Sequence, residues 1–229
     1  FRRVLFRSVI MDAVVGHYPY SANDGLRSLA PIGLHKWKKP DGKALYGDVP
    51  SPWGTNRYDY ANPYVRKFLT DGTMSMVCRY GISGIRFDNL DGIRLYDGPG
   101  GGGPEFLQEL VTAVRAYRPE TLLIAEMFFG YAGVMHRLDD GGFGIGYRTH
   151  SDYFDFLKDN MLKETQDINM ATLRGALRNP FDWHEAPRVQ YPTNHDEAAN
   201  GRDGATGKYL ASLLNGGGWY YVEKKTMAF

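Results

Sequence analysis

The chain has 229 residues, 43% hydrophobic and 23% charged, with a formal net charge of +1. That size and composition suit one globular domain, and so balanced a charge gives no electrostatic footing for a nucleic-acid partner. No apolar run approaches the roughly 20 residues a membrane span needs, so no membrane partner is expected. The single Cys78 excludes an internal disulfide; inside a helix it is expected to be a buried structural thiol.

Residues 1–8 (FRRVLFRS) read as a non-native leader, with native sequence from Val9. Residues 9–15 (VIMDAVV) are apolar and β-branched apart from one acid, as in a buried parallel strand. Residues 16–61, rich in Gly, Pro, Asp and Trp, predict a long loop or small subdomain. Asn62-Pro63 then opens a helix, Asn as cap and Pro in the first turn. Val65, Phe68, Leu69, Met76 and Val77 are expected on its inner face, and Gly81 ends it. Residues 82–87 (ISGIRF) form the next strand, ending at Asp88. A glycine-rich loop spans 97–103. A second amphipathic helix spans 104–117, with Phe106, Leu107, Leu110, Val111 and Val114 inward and Pro119 as its stop. Residues 121–125 are a third strand, ending at Glu126. Residues 152–163 and 170–178 read as helices, and 188–193 as a last short strand leading to Asn194-His195-Asp196. Strands alternating with helices imply an α/β fold of parallel βα units.

Three acids follow strands at matching places: Asp88, Glu126 and Asp196. Strand ends of parallel barrels converge on one face, where active sites sit. Each acid alone could instead cap a following helix. Three together, with Asp12 as a fourth, point to chemistry, because buried acids cost folding energy unless paired. Cleaving a glycosidic bond with retention needs two carboxyls roughly 5–5.5 Å apart, one attacking and one moving protons. Different strand ends can supply that spacing.

The surrounding motifs are Asp12-Ala13-Val14-Val15-Gly16-His17, Gly84-Ile85-Arg86-Phe87-Asp88, Ala125-Glu126 and Asn194-His195-Asp196-Glu197. In this order they resemble the four conserved regions of the α-amylase superfamily, glycoside hydrolase family 13, over nearly the whole chain. The resemblance implies a partial TIM (β/α)8 barrel, third to seventh strands present, first two and eighth missing. It implies Asp88 as nucleophile, Glu126 as general acid/base, and Asp196 as the carboxylate that binds sugar hydroxyls and distorts the ring. Arg86, two residues before Asp88 on the same strand face, would hold Asp88 ionised. His17 and His195 would bond sugar hydroxyls, and Asp12 would support Arg86 or His17. Tyr18 and Trp53 would either stack on sugar or pack.

Two departures matter. Gly16 stands where the family commonly has a calcium-binding Asn, so no metal and no other cofactor is expected. Asp91 and Gly92 replace the Lys-His of typical α-amylases. The 53–66 segment and Gly141-Gly142-Phe143-Gly144-Ile145-Gly146-Tyr147 resemble the glucan branching enzymes instead. The leading reading is an enzyme that cleaves α-1,4-glucosidic bonds and transfers the chain to form α-1,6 branches. The alternative is a hydrolase of starch, glycogen or maltodextrin, and a non-catalytic barrel relative stands behind both. The partner expected is an α-glucan, the compartment cytoplasmic. Residues 9–229 alone are expected to be inactive, because an open barrel leaves strand edges uncovered.

Overall fold

A computed structural model describes residues 8–18, 49–51, 54–95, 101–127, 132–149, 152–160, 163, 165–178, 188–191 and 194–196. Residues 1–7, most of the expected 16–61 subdomain, residues 97–100 of the glycine-rich loop, Trp53, Pro192, Thr193 and Glu197 lie outside this set. The chain divides into two compact units, Phe1–Thr149 and His150–Phe229.

In the first unit, β1 (Ile10–Ala13), β4 (Gly84–Phe87), β5 (Leu122–Glu126) and β6 (Tyr147–Thr149) pair in that order, all in parallel. The three strands read from sequence are there, shorter at their starts. β6 had no sequence signal, being only three residues long. A separate antiparallel pair, β2 (Val49–Pro50) and β3 (Asn56–Arg57), comes from the region expected to hold a subdomain. The register sets Asp12 beside Arg86, Arg86 beside Ile124, and Ile124 beside Tyr147. The next row, Ala13, Phe87, Ala125 and Arg148, points to the opposite face and is buried. Polar chemistry therefore gathers on one face while the other seats helices. At Gly84 the strands come close: a Cβ would stand 2.9 Å from Leu122 Cβ and 3.0 Å from its carbonyl oxygen.

Helix α1 (Pro63–Tyr80) begins as the sequence indicates, with Asn62 Oδ1 accepting from the Tyr64 N–H at 3.0 Å. It ends at Gly81, whose φ of 58° is left-handed. Its buried stripe is Val65, Leu69, Thr73 and Val77, a run at four-residue spacing, and the Thr73 hydroxyl donates to the Leu69 carbonyl. Two expectations change with that phase. Met76 is 41% exposed, and Cys78 lies on the solvent side rather than in the core. Helix α3 (Gly103–Tyr117) buries the five residues expected of it; the short α2 (Leu90–Arg94) precedes it.

The amino ends of the strands are gripped by two arginines of this second long helix and its cap. Arg115 Nη1 donates to the Pro119 and Thr121 carbonyls, each at 2.6 Å, and Arg118 Nη1 donates to Ile82 O at 3.0 Å.

An aromatic group fills the core before α1. Tyr60 stacks on Phe106 at 5.1 Å, and its hydroxyl donates to Val15 O at 2.8 Å. Tyr58 lies between Tyr18 and Tyr60, and burial pushes its pKa from 10.0 up to about 12. The unfolded chain releases this proton near pH 10. Stability tied to Tyr58 is thus whole below pH 10 and is lost as pH rises toward 12, by about 3 kcal/mol in all. Denaturant unfolding at pH 9 and pH 11.5 should show a larger alkaline loss for the wild type than for Tyr58→Phe; equal losses would refute the assignment.

The second unit contains α4 (Asp152–Asn160), α5 (Met170–Arg178) and β7 (Arg188–Val189). Phe156, Leu157 and Ala176 form its apolar centre, with Tyr153, Ile168 and Leu173 against them. Helix α4 stops before the expected residue 163: Asn160 Nδ2 donates to Phe156 O, and Lys163 Nζ donates to Asn160 Oδ1. No helix among the described residues is long and apolar enough to cross a membrane.

Candidate active site

Arg86 organises the carboxyl ends of β1, β4 and β5. Its Nη1 donates to both Asp12 oxygens, at 2.6 and 2.7 Å, and to Asp88 Oδ1 at 3.1 Å. Its Nη2 lies 2.6 Å from Glu126 Oε1. One guanidinium thus meets three carboxylates, a role its rigid fork of donors suits and a lysine's single ammonium does not. Burial opposes the charge on Arg86. The hydrogen bond to Asp12 and the fields of Glu126, Asp12 and Asp88 outweigh that and raise its pKa above the ordinary arginine value. The cluster leaves two negative charges uncompensated when all three acids are ionised.

The acids differ in setting. Asp12 is 43% exposed, Asp88 14% and Glu126 6%. Glu126 also accepts the Asn89 N–H at Oε2, 2.8 Å away. His17 Nδ1 stands 3.7 Å from Asp88 Oδ2. The Asp88 N–H donates to Ala13 O at 3.1 Å, which ties the end of β4 to the end of β1. Asp12, His17, Arg86, Asp88 and Glu126 are therefore brought together, with Asp12 and Glu126 each 2.6 Å from the Arg86 guanidinium.

Sequence reasoning missed Asn89 and the short helix it caps. Asn89 is left-handed, with φ 46° and ψ 53°, and its Oδ1 accepts the Gly92 N–H at 3.2 Å. The signal available was an Asn directly before a helix-compatible Leu-Asp-Gly-Ile-Arg run, but one turn is too short for periodicity to register. Asp91, noted as a departure, is buried and paired with Arg94 at 3.1 Å, a structural contact.

Tyr18 is 5% exposed, its ring centre 5.0 Å from that of Tyr58. That burial favours packing between the two roles left open. The Gly141–Tyr147 stretch is a tight feed into β6: Phe143 and Ile145 are buried, and a Cβ at Gly142 would strike the His136 and Gly133 backbones. Gly16 offers a calcium ion only its backbone carbonyl. It has no side chain, its carbonyl accepts from Tyr60 Oη at 3.3 Å, and an added Cβ would lie 3.3 Å from Asn89 O and 3.4 Å from Asp88 O. In the second unit, His195 Nε2 lies 3.4 Å from Asp196 Oδ2, and both side chains are solvent-accessible.

No family model matches the chain. The 1,4-α-glucan branching enzyme of Bacillus caldolyticus is 28% identical over 225 residues, covering 94% of this chain and 31% of the relative. That of Leifsonia xyli is also 28% identical over 225 residues, covering 87% and 28%. The chain thus spans about three tenths of the length of these curated relatives. Among solved structures, an α-amylase of Anoxybacillus matches with a TM-score of 0.59 at 16% identity, covering 90% of this chain and 41% of that one. An α-amylase of Geobacillus thermoleovorans, solved with acarbose, matches at 0.55 and 18% identity, covering 87% and 43%. At such identities these likenesses speak to the fold alone, and they imply a TIM-barrel domain. In sequence the chain is thus similar to the glucan branching enzymes, and in fold to the α-amylases.

Proposed function

We propose that the full protein is a retaining enzyme that cleaves α-1,4-glucosidic bonds and transfers the released chain to a glucan hydroxyl, forming α-1,6 branches. The observation that carries this reading is the arginine-centred set of carboxylates at three strand ends. In this reading β1, β4, β5 and β7 correspond to the third, fourth, fifth and seventh barrel strands.

Asp88 attacks the anomeric carbon and forms the glycosyl-enzyme. Arg86, 3.1 Å from Asp88 Oδ1, keeps it aimed. Glu126 gives a proton to the leaving oxygen, then removes one from the acceptor hydroxyl. To do so it must enter the reaction protonated, exchanging its Arg86 contact for the leaving oxygen. The excess negative charge of the cluster stabilises the positive charge that develops on the sugar ring in the transition state. His17, and Asp196 with His195, bind sugar hydroxyls. No cofactor is part of this reading. The substrate is an α-glucan, and the compartment proposed is cytoplasmic.

Transfer and hydrolysis share the first step and differ in what attacks the intermediate. The likeness to branching enzymes in sequence favours transfer; the likeness to α-amylases in fold keeps hydrolysis as the second reading. Incubating the full-length protein with amylose separates them. New α-1,6 linkages, seen by isoamylase debranching or proton NMR, are expected. A rise in reducing ends without branches would instead establish the hydrolase.

A further inference from the structure

We infer that Asn89 is a positioning residue whose left-handed turn holds the carboxyls of Asp88 and Glu126 against a single peptide unit. The inference rests on the catalytic reading of those two acids given above. Asn89 is the one non-glycine residue with positive φ among the described residues. Such a backbone is uncommon outside glycine, asparagine tolerates it best, and it persists where surrounding structure holds it in place.

Here the holding contacts are visible. The Gly92 N–H is shared between Asn89 Oδ1 at 3.2 Å and Asn89 O at 3.0 Å. Position 92 must be glycine for this to happen. A Cβ there would strike the Asn89 amide nitrogen and lie 2.9 Å from its Cγ. The following Leu90 is fully buried and anchors the turn to the core.

The peptide joining Asp88 to Asn89 then has two attachments. Asp88 is part of it, and its N–H, that of Asn89, donates to Glu126 Oε2 at 2.8 Å. The Asp88 N–H, one peptide earlier, is fixed to Ala13 O. Retaining catalysis requires a set distance between the two carboxyls. This peptide sets it, one carboxyl by covalent attachment and the other by a hydrogen bond. If the turn relaxes, Glu126, which gives up its Arg86 contact to reach the leaving oxygen, also loses the Asn89 N–H, while Asp88 keeps its contact with Arg86.

The test compares substrates that differ in their need for protonation, using the full-length protein. Amylose requires a proton on its leaving oxygen; α-maltosyl fluoride requires little. In Asn89→Val, a β-branched residue that disfavours the left-handed turn, turnover of amylose should fall about 100-fold, with fluoride release falling less than about 5-fold. Asn89→Gly, which enters the turn freely, should recover amylose turnover to within about tenfold of wild type. A parallel fall on both substrates, or no fall on amylose, overturns the inference. If the valine variant does not fold, Asn89→Ala replaces it, and equal amylose turnover in the alanine and glycine variants overturns the inference equally. A wild type that turns over neither substrate, or an Asp88→Asn variant that remains active, sinks the catalytic reading and this inference with it. Those outcomes are distinguishable from a failure of Asn89 alone.

Discussion

Asp88→Asn is expected to lower turnover of both amylose and α-maltosyl fluoride by about 10⁴-fold or more, because a neutral amide cannot form the glycosyl-enzyme. The fold should survive. Asp88 is one of three carboxylates on Arg86, so neutralising it reduces the negative excess of the cluster and leaves Asp12 and Glu126 to pair the guanidinium. Unchanged circular dichroism and an unfolding midpoint close to wild type would show that the loss is chemical. Glu126→Gln offers the contrast: amylose turnover collapses while the first step on the fluoride is largely spared. An Asp88→Asn variant with near-normal turnover would remove the nucleophile from the mechanism.

The second large effect is structural. Arg86→Met should destabilise the protein by about 3–5 kcal/mol, the usual result of removing one partner from a buried ion pair. The side chain is only 16% exposed, and its loss brings Asp12, Asp88 and Glu126 together without a counter-charge. Asp12→Asn removes an acid that is 43% exposed and should cost less than about 1 kcal/mol. Urea unfolding of both variants decides the matter, and similar midpoints would mean that Arg86 is not the centre of the network. A group whose pKa rises on folding loses its stabilisation as pH climbs from the unfolded value to the folded one. For Arg86 that lies beyond the range in which proteins are ordinarily studied, so no alkaline step arises from it. The alkaline step belongs to Tyr58.

Much of this arrangement can be read from the chain because its signals are local. Asn62-Pro63 and Gly81 mark both ends of a helix within one turn of each, and the structure places the caps there. Short strands of mainly apolar residues, each with an acid at its carboxyl end, put Asp88 and Glu126 where they are found. The phase of a helix is less local. Val65, Leu69, Thr73 and Val77 define the inward line, and a buried Thr is invisible to a count of apolar residues; Met76 and Cys78 were misplaced for that reason. Arg86 was expected to hold Asp88, with Asp12 supporting Arg86 or His17, and its contact with Glu126 was not read. Its simultaneous hold on Asp12 and Glu126 joins residues 74 and 40 positions away, and only the pairing of three strands makes it. The Asn89 turn and β6 were missed because neither is long enough for a periodic pattern to repeat.

The arginine grips at the amino ends of β4 and β5 separate foundation from workshop. Arg115 and Arg118 fasten Ile82, Thr121 and Pro119 at the end of the sheet opposite Asp88 and Glu126. An engineer redirecting the proposed transfer toward a new acceptor can diversify the segments that leave the carboxyl ends without loosening these fastenings. Conversely, hardening the arginine end against heat need not slow the chemistry. The two properties are written into opposite edges of the same short strands and can be evolved in separate rounds.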